Sequence, residues 1–128
     1  MKLLLDTPAF LWFIMGSSNL SPSARALIED EASERFLSVA SLWEIAIKLS
    51  IGKLTLSAPF DVLIPQQLSL NGIELLGVAI HHATVVSTLP FHHRDPFDRL
   101  LIAQAIVESM PIISMDTAFD MYAVNRLW

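Results

Sequence analysis

The sequence predicts a single α/β domain whose mostly parallel sheet is covered by helices on both faces. Three observations carry that expectation. Short apolar runs alternate with longer segments of helical period, the pattern of βαβ units. No internal repeat or linker-like stretch divides the 128 residues, a length that suits one domain and one core. Hydrophobic residues make up 53% and charged residues 16%, which excludes a disordered chain.

Lys2-Leu5 reads as a short strand. Thr7-Pro8 then supplies a helix cap and a first-turn proline for an apolar helix reaching about Met15. Ser21-Pro22 opens a second, amphipathic helix through Leu27, Ile28 and Ala32. Arg35-Val39 follows as a strand, and Ser41 to about Ser50 as a helix stopped at Gly52. Helical segments near Phe60-Leu70 and Ile80-Leu89 flank a strand at Ile73-Val78. Asp95-Pro96 opens a long apolar helix to about Ser109, which Pro111 ends. Ile112-Met115 is expected as a buried strand and Val124-Trp128 as a short last one.

Composition narrows the function. The balance of 8 Lys+Arg against 13 Asp+Glu, a net charge of −5, argues against holding nucleic acid by bulk positive charge alone. It leaves room for a protein whose local positive charge is a metal ion. Without cysteine there is no disulfide, thiol nucleophile or thiolate-bound zinc. No apolar run is long enough to span a membrane. Met1-Lys2-Leu3-Leu4-Leu5 and Ala24-Arg25-Ala26 imitate a signal peptide and its cleavage site, but Asp6 and Pro8 interrupt the apolar stretch. A soluble cytoplasmic domain is the expectation.

Parallel sheets bind ligands beyond the carboxyl ends of their strands. Asp6 and Asp116 fall at two such ends. Either could simply cap the next helix, although Thr7 is well placed to do that for the helix begun by Pro8. Glu44 fits a capping box with Ser41 and an i,i+4 pair with Lys48, yet its neighbours Ala40, Trp43 and Ile47 are apolar. Asp95, followed by Pro96, reads as a structural N-cap. Asp98 stands at the third helical position, on the stripe of Leu101 and Ile102, and needs a partner that sequence does not supply. Four carboxylates from four elements cannot gather as anions without raised pKa values or a cation between them. Hard oxygen donors without cysteine suit Mg2+ or Mn2+.

These residues also carry a resemblance. Leu4-Leu5-Asp6-Thr7, Ser41-Leu42-Trp43-Glu44-Ile45-Ala46-Ile47-Lys48, Gly52-Lys53-Leu54, His93-Arg94-Asp95-Pro96-Phe97-Asp98-Arg99, and Ser114-Met115-Asp116 followed by Phe119 and Tyr122 resemble the PIN-domain ribonucleases. Within that family the chain looks most like the VapC-like toxins of prokaryotic toxin–antitoxin pairs. The resemblance implies an α/β/α sandwich with about five parallel strands and a Mg2+- or Mn2+-dependent endoribonuclease. It places the acidic site on Asp6, Glu44, Asp98 and Asp116, with Ser114 at the small hydroxyl position two before the last aspartate. Pro8 departs from the family, where close relatives often carry histidine.

The expected chemistry is metal-assisted phosphodiester hydrolysis. Asp6, Asp98 and Asp116 would hold the ion, Glu44 would complete the site or orient water, and Thr7 and Ser114 would support it. Lys48, Lys53, Arg94 and Arg99 are candidates for guiding the RNA backbone, against ordinary surface solubility. His81-His82 and His92-His93 read as rim or structural residues, and Trp12, Trp43 and Trp128 as core or interface. The expected partners are an RNA substrate, a cognate antitoxin and a second copy of the chain, with the apolar excess supplying the interface. A phosphoacceptor domain is the first competitor. It fails because the strand Arg35-Val39 ends in Ala40-Ser41 rather than aspartate. A catalytically silent interaction module is the second, and divalent-ion binding separates it from a nuclease.

Overall fold

Lys2–Leu5 forms the central strand β1 because three consecutive leucines can be buried only where both faces are covered. The computed structural model describes residues 1–128. Alternation along β1 sends Leu3 and Leu5 into one core and Leu4 into the other. Helices α1 (Thr7–Met15), α2 (Pro22–Glu29), α3 (Val39–Ser50) and α4 (Phe60–Leu70) supply the first core, through Phe10, Ile28, Ile45 and Ile64. Helices α5 (Ile80–Thr88) and α6 (Pro96–Glu108) build the second, with Leu101, Ile102, Phe119 and Tyr122.

The remaining strands are β2 (Glu34–Ser38), β3 (Ile73–Leu76), β4 (Ile112–Ile113) and β5 (Arg126–Leu127). They form one sheet of order β3-β2-β1-β4-β5, parallel throughout. The chain builds outward from β1 to β3 and then crosses back to β4 on the other side of β1. The order therefore reverses between β1 and β4, the kind of switch point beyond whose carboxyl ends such sheets bind ligands in a crevice. The α/β/α sandwich with five parallel strands is the expected fold. No helix is long and apolar enough to cross a membrane.

Several boundaries shift, each for a local reason. Helix α3 starts at Val39 rather than Ser41, because the Ser38 hydroxyl caps it by accepting Ala40 N–H at 3.1 Å. Ser41 and Glu44 thus lie inside the helix, and the expected capping box does not form. Strand β4 keeps only two residues, since the backbone turns at Ser114 toward Asp116 and a 3-10 helix over Thr117–Met121 that sequence periodicity did not disclose. Helix α2 ends at Glu29, short of Ala32, and β3 ends at Leu76, short of Val78.

Candidate active site

Asp6 follows β1 directly, at the reversal point of the strand order. It is the N-cap of α1: Oδ1 accepts the Ala9 N–H at 2.8 Å. The expectation that Thr7 fills this role is corrected, because Thr7 is already the first helical residue and its side chain turns inward. Burial, with only 4% of Asp6 exposed, pushes its carboxyl up from 3.8 to about 6. Hydrogen bonds from the Ser114 hydroxyl and the Ala9 N–H pull the other way, while Glu44 and Asp116 add repulsion.

The Thr7 hydroxyl donates to Glu44 Oε1 at 2.7 Å and lies 2.9 Å from Ser41 Oγ. Glu44 is buried on α3, and its second oxygen takes the Lys48 ammonium at 2.9 Å, the i,i+4 pair that the spacing suggested. Its carboxylate is thus held from α1 on one side and from its own helix on the other.

Asp98 enters from α6, one turn inside the cap. Asp95 provides that cap, accepting Phe97 N–H at 2.9 Å and Asp98 N–H at 3.3 Å, as its sequence context implied. Burial comes first among the influences that push the Asp98 carboxyl up to about 7, followed by repulsion from Asp95, Asp6, Glu44 and Asp116. The partner that sequence did not supply is His93, whose Nε2 lies 3.6 Å from Asp98 Oδ2. Asp116 stands past β4 and caps the 3-10 helix through Ala118 N–H at 2.9 Å. Its own N–H donates to the fully buried Ser114 hydroxyl at 3.0 Å.

The four carboxylates therefore come from four elements and act on one another electrostatically across one crevice. They do not form a closed ion cage: no three acidic or histidine side chains converge on a common ligation point as they stand. Asp6, Glu44 and Asp116 are each held by a local hydrogen bond, from Ala9 N–H, Thr7 Oγ1 and Ala118 N–H. The donor set nevertheless fits Mg2+ or Mn2+. It consists entirely of oxygens, and two of its members, Asp6 and Asp98, are pushed toward neutrality by burial and by repulsion from the other carboxylates.

The PIN domain family model matches residues 3–125. The chain belongs to the PIN-domain family. No curated protein matches it in sequence. Among solved structures, this PIN domain is similar to the VapBC2 complex of Rickettsia felis bound to a promoter DNA fragment, with a TM-score of 0.74 at 14% identity, covering 99% of this chain and 98% of that one. It is also similar to FitAcB from Neisseria gonorrhoeae, with a TM-score of 0.65 at 19% identity over 98% of this chain and 96% of that one. A toxin–antitoxin complex from Klebsiella pneumoniae gives 0.59 at 11% identity, over 98% and 96%. At such identities the likeness is one of fold.

The basic residues of this PIN domain divide. Lys48, Lys53 and Arg94 line a groove of about 460 Å³ that begins at Glu44 and runs past Phe97. Arg99 does not join them. It is 5% exposed, and its guanidinium donates to the carbonyls of Pro90, Leu89 and Val86, which fastens the segment ahead of α6. Its expected part in guiding RNA is thereby corrected to a structural one. The histidines also separate. His82 caps α5 by accepting Ala79 N–H at 2.9 Å, whereas His93 reaches the site. Trp12 packs against Trp128, but Trp43 is 68% exposed and sits edge-on to Phe97 beside the groove, not in the core. His93, expected only as a rim or structural residue, and Tyr122 have contacts at the site that the sequence does not reveal. No helical or strand period reaches them, because His93 lies in irregular backbone five residues before Asp98.

Proposed function

We propose that this PIN domain is a Mg2+- or Mn2+-dependent endoribonuclease acting as the toxin of a toxin–antitoxin pair. The observation that supports the reading is the electrostatic reach of Asp6, Glu44, Asp98 and Asp116 on one another near the switch point of the sheet, with Asp6 and Asp98 pushed up to about 6 and about 7. Capping uses one oxygen each of Asp6 and Asp116 and leaves the raised carboxyls of Asp6 and Asp98 unrelieved, whereas a divalent ion between them offsets their repulsion. Asp6, Asp98 and Asp116 would hold the ion, with Glu44 completing the set. When bound, a divalent ion lowers the pKa of a water and neutralises charge on the phosphate.

The chain's own residues supply positioning. Thr7 and Lys48 fix the Glu44 carboxylate, which orients the attacking water. Ser114 holds both the Asp6 carboxylate and the Asp116 backbone. Lys48, Lys53 and Arg94 lead the phosphate backbone along the groove toward Glu44, giving an acidic protein a local basic path. The similar folds in complexes with antitoxins support an antitoxin partner, and exposed Val39, Trp43 and Ile51 on and beyond α3 offer apolar surface for it or for a second copy.

The test is cleavage of a single-stranded RNA by the purified chain, with the same sequence in DNA as control. Cleavage is expected with Mg2+ or Mn2+ and is expected to stop on adding EDTA. Cleavage persisting in a thoroughly chelated sample overturns metal assistance. A chain that neither cuts RNA nor binds Mn2+ is the silent interaction module instead.

A further inference from the structure

The phenol of Tyr122 determines where His93 carries its proton. Its oxygen accepts the backbone N–H of His92 at 3.0 Å and that of His93 at 3.2 Å. Two such bonds occupy both of its acceptor positions, so the hydroxyl proton is left for its third neighbour, His93 Nδ1 at 3.0 Å. Nδ1 is therefore an acceptor, and the neutral imidazole bears its hydrogen on Nε2. That Nε2 is buried and has no hydrogen-bond partner, yet it faces Asp98 Oδ2 at 3.6 Å, just beyond bonding distance. Phe119 and Tyr122 pack against the ring at 5.7 and 5.4 Å between centroids and keep it from turning away. A buried donor with its tautomer fixed thus stands before one carboxylate oxygen.

We propose that His93 is a positioning residue for Asp98: Tyr122 presents the Nε2–H of His93 to Oδ2, and that hydrogen bond would hold the Asp98 carboxylate as one that could serve a divalent ion. The inference rests on the metal-site reading of the acidic crevice. Carboxylates that bind metals are themselves commonly hydrogen-bonded, and removing such an outer hydrogen bond typically costs 10–100-fold in metal affinity. The aromatic packing alone gives His93 a structural role, so the test must separate the two.

Glutamine and asparagine do so. His93→Gln and His93→Asn both remove the ring and its aromatic packing, but glutamine places an amide N–H where Nε2 was, and asparagine does not. Mn2+ affinity of the full chain, measured by calorimetry, is expected to stay within about threefold of the natural chain in His93→Gln and to fall about tenfold or more in His93→Asn. Equal losses in the two variants, or no loss in His93→Asn, overturn the proposal while leaving Mn2+ binding by the natural chain intact. A natural chain that does not bind Mn2+ overturns both the proposal and the metal-site reading. Long-range 1H–15N correlation of the metal-free natural chain, above the ordinary histidine range, tests the tautomer independently of any variant's folding. A hydrogen on Nε2 supports the proposal, and a hydrogen on Nδ1 overturns it.

Discussion

Asp6→Asn should make the metal-free protein more stable and the metal-loaded one inactive. The amide keeps the oxygen that accepts the Ala9 N–H, so the cap of α1 survives and only the charge is lost. Burial raises the Asp6 carboxyl from 3.8 to about 6, so the folded state holds this proton more tightly than the unfolded chain does. Stability from this group is therefore lost as pH climbs from about 4 to about 6, and the full penalty is in force above that. At about 1.4 kcal/mol per pH unit, the penalty is about 3 kcal/mol. Urea unfolding in EDTA should find Asp6→Asn more stable by about 1–3 kcal/mol at pH 8, with the two proteins converging near pH 4. Mn2+ at a hundred times its dissociation constant should then raise the natural chain by about 2.7 kcal/mol and the variant by much less. RNA cleavage should fall about a hundredfold or more, as expected when several kcal/mol of transition-state charge stabilisation are removed. Equal stability at pH 8 without metal would refute the burial argument. Equal stabilisation of both proteins by Mn2+ would remove Asp6 from the ion.

Asp98→Asn should likewise abolish cleavage. It should add stability above pH 7 in EDTA, since its carboxyl is also pushed up, but the gain is cut by solvent because the side chain is 21% exposed; thermal melts at pH 5 and pH 8 check the sign. Glu44→Gln keeps an oxygen for the Thr7 hydroxyl and loses only the charge that pairs with Lys48, so normal RNA cleavage by it would show that Glu44 serves packing. Arg99→Lys should cost about 1–3 kcal/mol in urea unfolding, because a lysine cannot reach three carbonyls at once. Lys53→Ala with Arg94→Ala should weaken RNA binding and flatten its salt dependence by about 0.7 for each phosphate left unpaired, measured in the Asp6→Asn background where RNA stays uncut.

The fold was legible because its signals are local and apolar. The Leu3-Leu4-Leu5 run requires a strand covered on both sides, and proline at the first turn of three helices marks their starts. The position of the acids was legible for the same reason: Asp6 and Asp116 follow apolar strands. What side chains do with their second neighbours was not legible. Ser38 rather than Ser41 caps α3, because the strand ends one residue earlier than its apolar pattern suggests. Arg99 looks in sequence like any charged residue beside an acidic motif, and only the fold brings the end of α5 and the segment after it around its guanidinium with three carbonyls. His93 gains its meaning from Tyr122, which is distant in sequence and reaches it through Oη.

Capping and metal binding look like competing explanations for each aspartate when taken singly, yet the observed caps leave room for the proposed ion. Asp6 and Asp116 each give one oxygen, Oδ1, to a helical N–H and have a second oxygen beyond it. The cap ties one oxygen of the side chain to the helix start and so orients the other. The same arrangement brings the positive ends of α1 and α6 to the buried acids, the cheapest neutralisation a protein backbone can offer. It falls short, since the Asp6 and Asp98 carboxyls remain well above the usual range despite those helix ends and the hydrogen bonds around them. Lys48 is committed to Glu44, and Arg99 has turned to carbonyls, so neither cation answers Asp6 or Asp98. An unmet demand for positive charge at the switch point of a parallel sheet is the physical condition that a divalent ion relieves.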